Sequence, residues 1–168
     1  MDGHDSGLRQ RFERHVARYA TREEDWDVFA FQARLDPSFR RSQRRYIGAG
    51  GSGKHHDPNA LPAKVFTLTI MMIEPGHGAP LHTHEVEEIF FVLDGEVTFI
   101  WEENGETVEA NFGRWDMLYN PPGVQRGVRN DSGKPVYFQV MLGKAQPERP
   151  SYHSEDMEKA KASETVQS

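Results

Sequence analysis

The residues best able to do chemistry are two histidines and a glutamate in the second half of the chain. His82 and His84 are separated by one residue, and Glu88 follows four positions later. If this stretch is extended, all three side chains share one parity and point to the same face. Two neutral imidazoles and one carboxylate suit iron, manganese, nickel, copper or zinc. The spacing therefore predicts a site for a divalent transition metal.

A His-X-His pair is common in proteins and on its own most often has no metal-binding role. The carboxylate in register and the strand-like sequence around it favour a ligand set, but residue types alone leave both interpretations open. On the inner face of a barrel, such a cluster would lie in a pocket shielded by apolar side chains.

The elements that must position these residues are short strands, which begin after Lys64. An apolar, β-branched run covers residues 65–73, and Asp94-Gly95 and Asn104-Gly105 are hairpin signals between later runs. Further short strands are expected near residues 116–119, 125–129 and 136–142. Short strands broken by Gly, Pro, Asn and Asp at this rhythm indicate an all-β sandwich or barrel. A short helix capped by Ser154 is expected in the polar tail.

The stretch from Gly76 to Gly95 resembles the first sequence motif of the cupin superfamily. That motif asks for Gly, five residues, His, one residue, His, three or four residues, Glu, six residues and Gly. Every spacing is met, by Gly76, His82, His84, Glu88 and Gly95. The resemblance covers residues 62–143 and implies a single cupin (jelly-roll) β-barrel. Residues 1–61 are then a helical and irregular N-terminal arm, and residues 144–168 a polar C-terminal tail.

The second cupin motif is matched less well. It asks for Gly, five residues, Pro, one residue, Gly, two residues, His, three residues and Asn. Gly113, Pro121, Gly123 and Asn130 resemble its members, although seven residues separate the first two. Arg126 stands where the motif has histidine. A guanidinium has only donors and stays charged, so Arg126 cannot be a metal ligand.

Arg126 leaves three interpretations open. In the first, the two histidines and Glu88 alone hold the metal, as the resemblance to two-histidine-one-carboxylate oxygenase sites implies, and Arg126 binds a substrate carboxylate. The repulsion between Arg126 and a nearby cation weighs against it. In the second, Arg126 pairs with Glu88 and no metal binds. In the third, a further residue completes the metal shell, the candidates being His77, Tyr119, Gln125 and Gln139.

The N-terminal arm carries a weaker pattern. Apolar residues follow helical spacing over residues 8–20, whereas residues 21–60 show little periodicity. The arm is rich in aromatics between Trp26 and Phe39, so we expect it to pack on the barrel or on a second subunit. Together with the unpaired edges of an open barrel, it predicts a homodimer. The stretch from Gly48 to His55 nearly fits a P-loop. It lacks the Ser or Thr after Lys54 and the flanking strand and helix, so we interpret it as a turn-rich loop.

Composition narrows the function classes. The net charge is −6, with 11 basic and 9 acidic residues in residues 1–61 and an acidic remainder, which argues against nucleic-acid binding. We interpret one basic cluster, Arg40, Arg41, Arg44 and Arg45, as a solvated face or a set of ion-pair partners. The absence of cysteine excludes disulfides and thiolate metal sites. We see no secretory signal and no bilayer-length apolar run, so we expect a cytoplasmic protein without a membrane partner.

These observations predict a metal-dependent cupin enzyme acting on a small, anionic, carboxylate-bearing molecule. Its chemistry would be dioxygenase-like, or alternatively decarboxylation or isomerisation. His82, His84 and Glu88 would hold Fe, Mn, Ni or Zn, and Arg126 would be the catalytic residue that orients the substrate anion. The alternative is a metal-free small-molecule-binding or sensor cupin, in which Arg126 replaces the metal-site histidine.

Overall fold

The structure, a computed structural model, describes residues 5–55 and 57–164 of the 168-residue chain. Within these residues there are three α-helices: α1 (Asp5–Glu13), α2 (Ala30–Leu35) and α3 (Glu155–Ser163). The strands are β1 (Ser42–Ile47), β2 (Thr67–Ile73), β3 (Gly78–His82), β4 (Glu88–Asp94), β5 (Val97–Glu103), β6 (Glu106–Phe112), β7 (Met117–Asn120), β8 (Gln125–Arg129) and β9 (Val136–Leu142).

Two antiparallel sheets face each other around an apolar core. One has the order β1-β2-β9-β4-β7 and the other β3-β8-β5-β6. Alternate residues of β9, from Val136 to Leu142, are buried, as expected for a strand with one face on the core. Aromatic rings from both sheets meet there: Phe138 lies 5.5 Å from Phe90 and 5.7 Å from Phe99, measured between ring centroids. The prediction of an all-β jelly-roll barrel is confirmed.

The two turn signals have different outcomes. Asn104-Gly105 joins β5 and β6 in a true hairpin, and both residues have the positive φ angles of a two-residue hairpin turn, 53° and 81°. Asp94-Gly95 instead connects β4 and β5, which lie in opposite sheets. The hairpin prediction there is wrong. Gly95, with a φ of 88°, forms a corner where a Cβ atom would lie 2.9 Å from the Pro135 carbonyl oxygen.

The second part of the N-terminal arm packs on the barrel. Strand β1 pairs with β2 and becomes the edge of the five-stranded sheet. Before it, Val28 and Phe31 are fully buried in the core. The division of the chain at residue 61 stays a prediction, and the structure adds that a strand of the arm belongs to a barrel sheet.

The two terminal helices differ in how well they match the prediction and in how much of each is buried. Helix α1 ends at Glu13, well before the predicted end near residue 20, and Leu8 and Phe12 are each more than 60% exposed. Helix α3 and its cap are confirmed, since the Ser154 hydroxyl accepts from the Met157 amide at 3.3 Å. Met157 is buried against the core. No helix in the described ranges is long and apolar enough to cross a membrane.

Candidate metal centre

The two histidines and the glutamate converge inside the barrel. His82, His84 and Glu88 each offer a ligand atom, and these atoms all lie within 4.8 Å of one another. All three residues are buried. Ligands about 2.1 Å from one ion lie roughly 3 to 3.5 Å apart. The limit of 4.8 Å is wider than this spacing, so the side chains would have to move closer together around a single cation.

The chain brings these residues together by a route other than simple strand parity. His82 ends β3, and the Thr83 backbone exchanges hydrogen bonds of 2.9 and 3.0 Å with Ser151 of the tail, which keeps the chain extended up to His84. The chain then bends, and Glu88 begins β4 in the opposite sheet. The carboxylate therefore faces the imidazoles across the barrel instead of following them along one strand.

Each imidazole has one nitrogen available toward the cluster. His82 Nδ1 lies 2.8 Å from the Pro80 carbonyl oxygen, and this contact requires a proton on Nδ1 and leaves the lone pair on Nε2. His84 Nε2 lies 3.7 Å from Glu88 Oε1. The two rings are 5.2 Å apart and nearly perpendicular. The other nitrogen of His84, Nδ1, is buried and has no hydrogen-bond partner among the described residues.

The surroundings keep both histidines neutral at ordinary pH. Burial lowers the pKa of His82 to about 3, and the charges of Arg126 and Arg41 act in the same direction. Burial also lowers the pKa of His84, with further contributions from His82 and Arg126. Because a metal ligand must be deprotonated, the imidazoles are in the form that metal binding needs.

Arg126 contacts the glutamate with its Nε atom. It is fully buried; Nε donates to Glu88 Oε2 at 2.9 Å, and Nη1 donates to the Val124 carbonyl at 2.6 Å. Burial raises the pKa of Glu88, and the positive charge and hydrogen bond of Arg126 oppose that rise. Arg126 occupies only one carboxylate oxygen, so Oε1 remains directed toward His84. Its role as a residue that contacts substrate stays a prediction.

A second set of contacts fixes the backbone at Glu88. The Asn120 side chain donates to the Glu88 carbonyl at 3.3 Å, and the Trp101 indole donates to Asn120 at 2.7 Å. Asn130, which the second motif singled out, is also fully buried and donates to the carbonyls of Ile73 and Lys134. Both asparagines satisfy backbone acceptors, and Asn120 does so at the candidate site itself.

His82, His84 and Glu88 line a cavity of about 40 Å³. The candidates for a further ligand, His77, Tyr119, Gln125 and Gln139, all belong to the described chain and none of them lines it. The remaining walls are apolar side chains of the barrel and residues that the sequence motifs do not place here. The latter come from the arm and the tail: Phe29, Gln32, Arg41, Gln43, Gly51 and Pro150.

The turn at Gly50–Ser52, inside the stretch that nearly fits a P-loop, packs directly on His84. A Cβ atom on Gly51 would lie 2.8 Å from His84 Cε1. Ser52 is buried and closes the turn through a 3.0 Å hydrogen bond to the Ala49 carbonyl. The turn-rich loop is thus a wall of the candidate site, and glycine is required there because the imidazole approaches so closely.

Comparison with known proteins agrees with this architecture. The model of the cupin domain matches residues 69–142. This part of the barrel is a cupin domain. The cupin match begins after β1, so the arm residues that line the cavity lie outside it. No curated protein matches the chain.

Several solved structures share the fold. The polyketide cyclase RemF from Streptomyces resistomycificus is 25% identical, with a TM-score of 0.52, and the match covers 70% of this chain and 75% of that one. A deletion mutant of Bacillus subtilis oxalate decarboxylase OxdC is 16% identical, with a TM-score of 0.54 and coverage of 67% and 28%. An oxalate oxidase matches at 17% identity and a TM-score of 0.48, covering 52% and 46%. The chain thus spans less than half the length of these oxalate enzymes.

Proposed function

We propose that this protein is a metal-dependent cupin enzyme that acts on a small carboxylate-bearing molecule. The observation that supports this most directly is the convergence of His82, His84 and Glu88 on one point in a buried cavity. Both imidazoles are neutral, and Glu88 directs one oxygen toward them. Iron, manganese, nickel and zinc all accept such a donor set.

A divalent metal at this site would act as a Lewis acid that polarises and orients the substrate. Decarboxylation and isomerisation use this property, whereas dioxygenase-like chemistry would also need a redox-active metal such as iron. The chain itself would hold the ligands in place: Pro80 fixes the tautomer of His82, and Arg126 holds the second oxygen of Glu88. The apolar walls would limit the access of water to the reacting atoms.

The size of the cavity favours a small substrate. A volume of about 40 Å³ corresponds to roughly three water-sized positions. RemF is named as a polyketide cyclase, and a polyketide would need a far larger space than this. This volume supports a small carboxylate as the substrate.

The contact between Arg126 and Glu88 favours a second candidate function, a metal-free binding or sensor module. In that case the 2.9 Å hydrogen bond is a permanent ion pair, and Arg126 provides the positive charge that a metal would otherwise supply. The cupin fold alone does not distinguish the two functions.

Metal loading of the full chain separates these candidates. Chelator-treated protein would be titrated with Fe(II), Mn(II), Ni(II) and Zn(II), with bound metal measured by mass spectrometry. The enzyme proposal predicts that the wild type takes up one ion per chain. The metal-free proposal predicts that the wild type takes up none, and that Arg126→Met gains binding because Glu88 loses its partner.

Arg129→Met is the matched control for that titration. Arg129 lies on the same strand as Arg126 but is exposed, and it pairs with Glu109 at 2.8 Å and Asp131 at 2.7 Å on the surface. Its replacement should leave metal uptake unchanged under either proposal. Wild-type protein that binds none of the four metals would overturn the enzyme proposal.

We also propose a homodimer, which brings exposed apolar side chains of the five-stranded sheet into contact. Strand β7 is an edge of that sheet, and Trp115, Met117 and Tyr119 in and just before it are about half exposed or more. An unpaired apolar edge is a common site of strand association. Light scattering at tens of micromolar should give twice the chain mass, and a monomer mass would refute the dimer.

A further inference from the structure

One member of the basic cluster differs from the other three. Arg44 pairs with Glu24 at 2.9 Å, and Arg45 pairs with Asp25 and Asp57. Arg40 is exposed and stacks on Trp26 at 4.5 Å. Arg41 is only 4% exposed, and no carboxylate of the described residues lies within ion-pair distance of it. Its side chain lines the same cavity as the metal cluster.

The arm holds the Arg41 guanidinium in a fixed orientation. Nη1 donates to Gln32 Oε1 at 2.6 Å and to the Phe39 carbonyl at 3.0 Å. The guanidinium lies 4.8 Å over the Phe29 ring. Across the described residues, the hydrogen bonds of Arg41 all come from Nη1. Since a guanidinium carries five N–H donors in a rigid fork, the other side of the fork is left for a ligand.

The buried charged side chains in and beside the cavity have a net positive charge. Burial lowers the pKa of Arg41 to about 10, which leaves the side chain charged at neutral pH. Arg126 is also buried and charged, and Glu88 already pairs with it. A buried charge is normally compensated by an opposite one. Glu88 acts on Arg41 only through space, and no carboxylate of the described chain lies within ion-pair distance of Arg41.

We propose that Arg41 binds the carboxylate group of a small organic acid inside this cavity. A guanidinium fork matches a carboxylate with two parallel hydrogen bonds, which fixes the orientation of the ligand as well as its charge. The apolar walls, including Phe90, Val128 and Phe138, accept the short carbon skeleton. The carboxylate also supplies the negative charge that the cavity lacks.

This inference gives Arg41 the part in substrate recognition that the sequence suggested for Arg126. Arg126 pairs with Glu88 and does not line the cavity, whereas Arg41 does. The inference rests on the proposed function for the substrate class. Binding of a carboxylate by Arg41 does not itself require a metal, however, so the two proposals can fail separately.

The test is calorimetric titration of the chelator-treated full chain with acetate, propionate and malonate, and with acetamide as the neutral match for acetate. The wild type should bind at least one carboxylate with a dissociation constant below about 1 mM and should not bind acetamide. Arg41→Gln should weaken that binding at least about tenfold. Arg41→Lys, which keeps the charge without the fork, should give an intermediate value. Arg40→Gln is the neighbouring control and should bind as the wild type does.

Arg41→Gln loses buried hydrogen bonds, so circular dichroism must show that it is folded. If Arg41→Gln is not folded, the wild type provides the test: the guanidinium ¹⁵N resonance of one buried arginine should shift as the carboxylate that binds in the calorimeter is added. Unchanged carboxylate binding in folded Arg41→Gln, equal binding of acetamide, no carboxylate binding by the wild type, or no shifted resonance would each overturn the inference. Zn(II) titration of the same variants distinguishes the two proposals. Carboxylate binding without metal uptake removes only the enzyme proposal, and metal uptake without carboxylate binding removes only the role of Arg41.

Discussion

The cavity has two sides of different origin, and the contrast between them is informative. The barrel side supplies His82, His84 and Glu88. Their spacing along the chain groups them as one candidate site. The arm side supplies Arg41 and Gly51, which no spacing connects to the site. The barrel side carries the possible metal ligands. The arm side carries the positive charge of Arg41 and the close contact of Gly51 with His84. Metal binding should therefore depend mainly on the barrel side, and ligand selection on the arm.

The largest expected effect is on metal binding when a barrel-side ligand is removed. His82→Ala should lower metal affinity by more than about 100-fold, since loss of even an outer residue commonly costs about 10- to 100-fold. Metal content measured by mass spectrometry after dialysis is the readout. His77→Ala is the matched control, because His77 bonds to the Pro75 carbonyl outside the cavity. Unchanged metal content in His82→Ala would mean that the metal lies elsewhere.

The next effect is on the pH dependence of stability in the metal-free protein. Burial holds the pKa of His82 at about 3 when folded, against about 6.5 in the unfolded chain. Between these values the unfolded chain binds a proton that the folded chain does not, so stability falls as the pH drops below about 6.5. From pH 7 to pH 5, His82 should remove about 2 kcal/mol from the free energy of unfolding. Urea unfolding at pH 7 and pH 5 measures this change. His82→Gln should lose about 2 kcal/mol less unfolding free energy between the two pH values than the wild type does. An equal loss in the two proteins would contradict the assignment of a buried neutral imidazole.

A smaller effect should come from the arm side, at the turn that packs on His84. Gly51→Ala places a Cβ atom 2.8 Å from His84 Cε1, so the imidazole must shift. We expect metal affinity to fall about tenfold, as for other residues that position a ligand, while the fold is retained. Gly133→Ala is the control, because no heavy atom lies within 4 Å of its added Cβ. Equal zinc affinity in the two variants, measured by competition with a chelator, would show that the arm does not influence the metal side.

Much of the fold is predictable because it depends on local signals. The Asn104-Gly105 hairpin and the Ser154 cap follow from residues adjacent in sequence, and both are confirmed. The corner at Gly95 is mistaken for a hairpin because a hairpin and a crossing between sheets require the same turn residues. Helix α1 ends early, and its apolar stripe is exposed, since periodicity indicates a helix but not what it packs against.

The candidate site is predictable only in part. The motif spacing groups His82, His84 and Glu88, although the structure joins them across two sheets and not along one strand. The pairing of Arg126 with Glu88 is one of the alternatives that the sequence leaves open. Arg41 cannot be distinguished from its neighbours by sequence, because its burial depends on long-range contacts of the arm with the barrel. Four basic residues in a short stretch look alike until their partners are known.

The most direct test of the central claim is an anomalous difference map from a crystal of the full chain soaked with Zn(II). Our account predicts one peak bonded to a nitrogen of His82, a nitrogen of His84 and Oε1 of Glu88, with Arg126 still bonded to Oε2. A map without a peak at that point, or an Arg126 side chain lying in the space between the imidazoles, would contradict it.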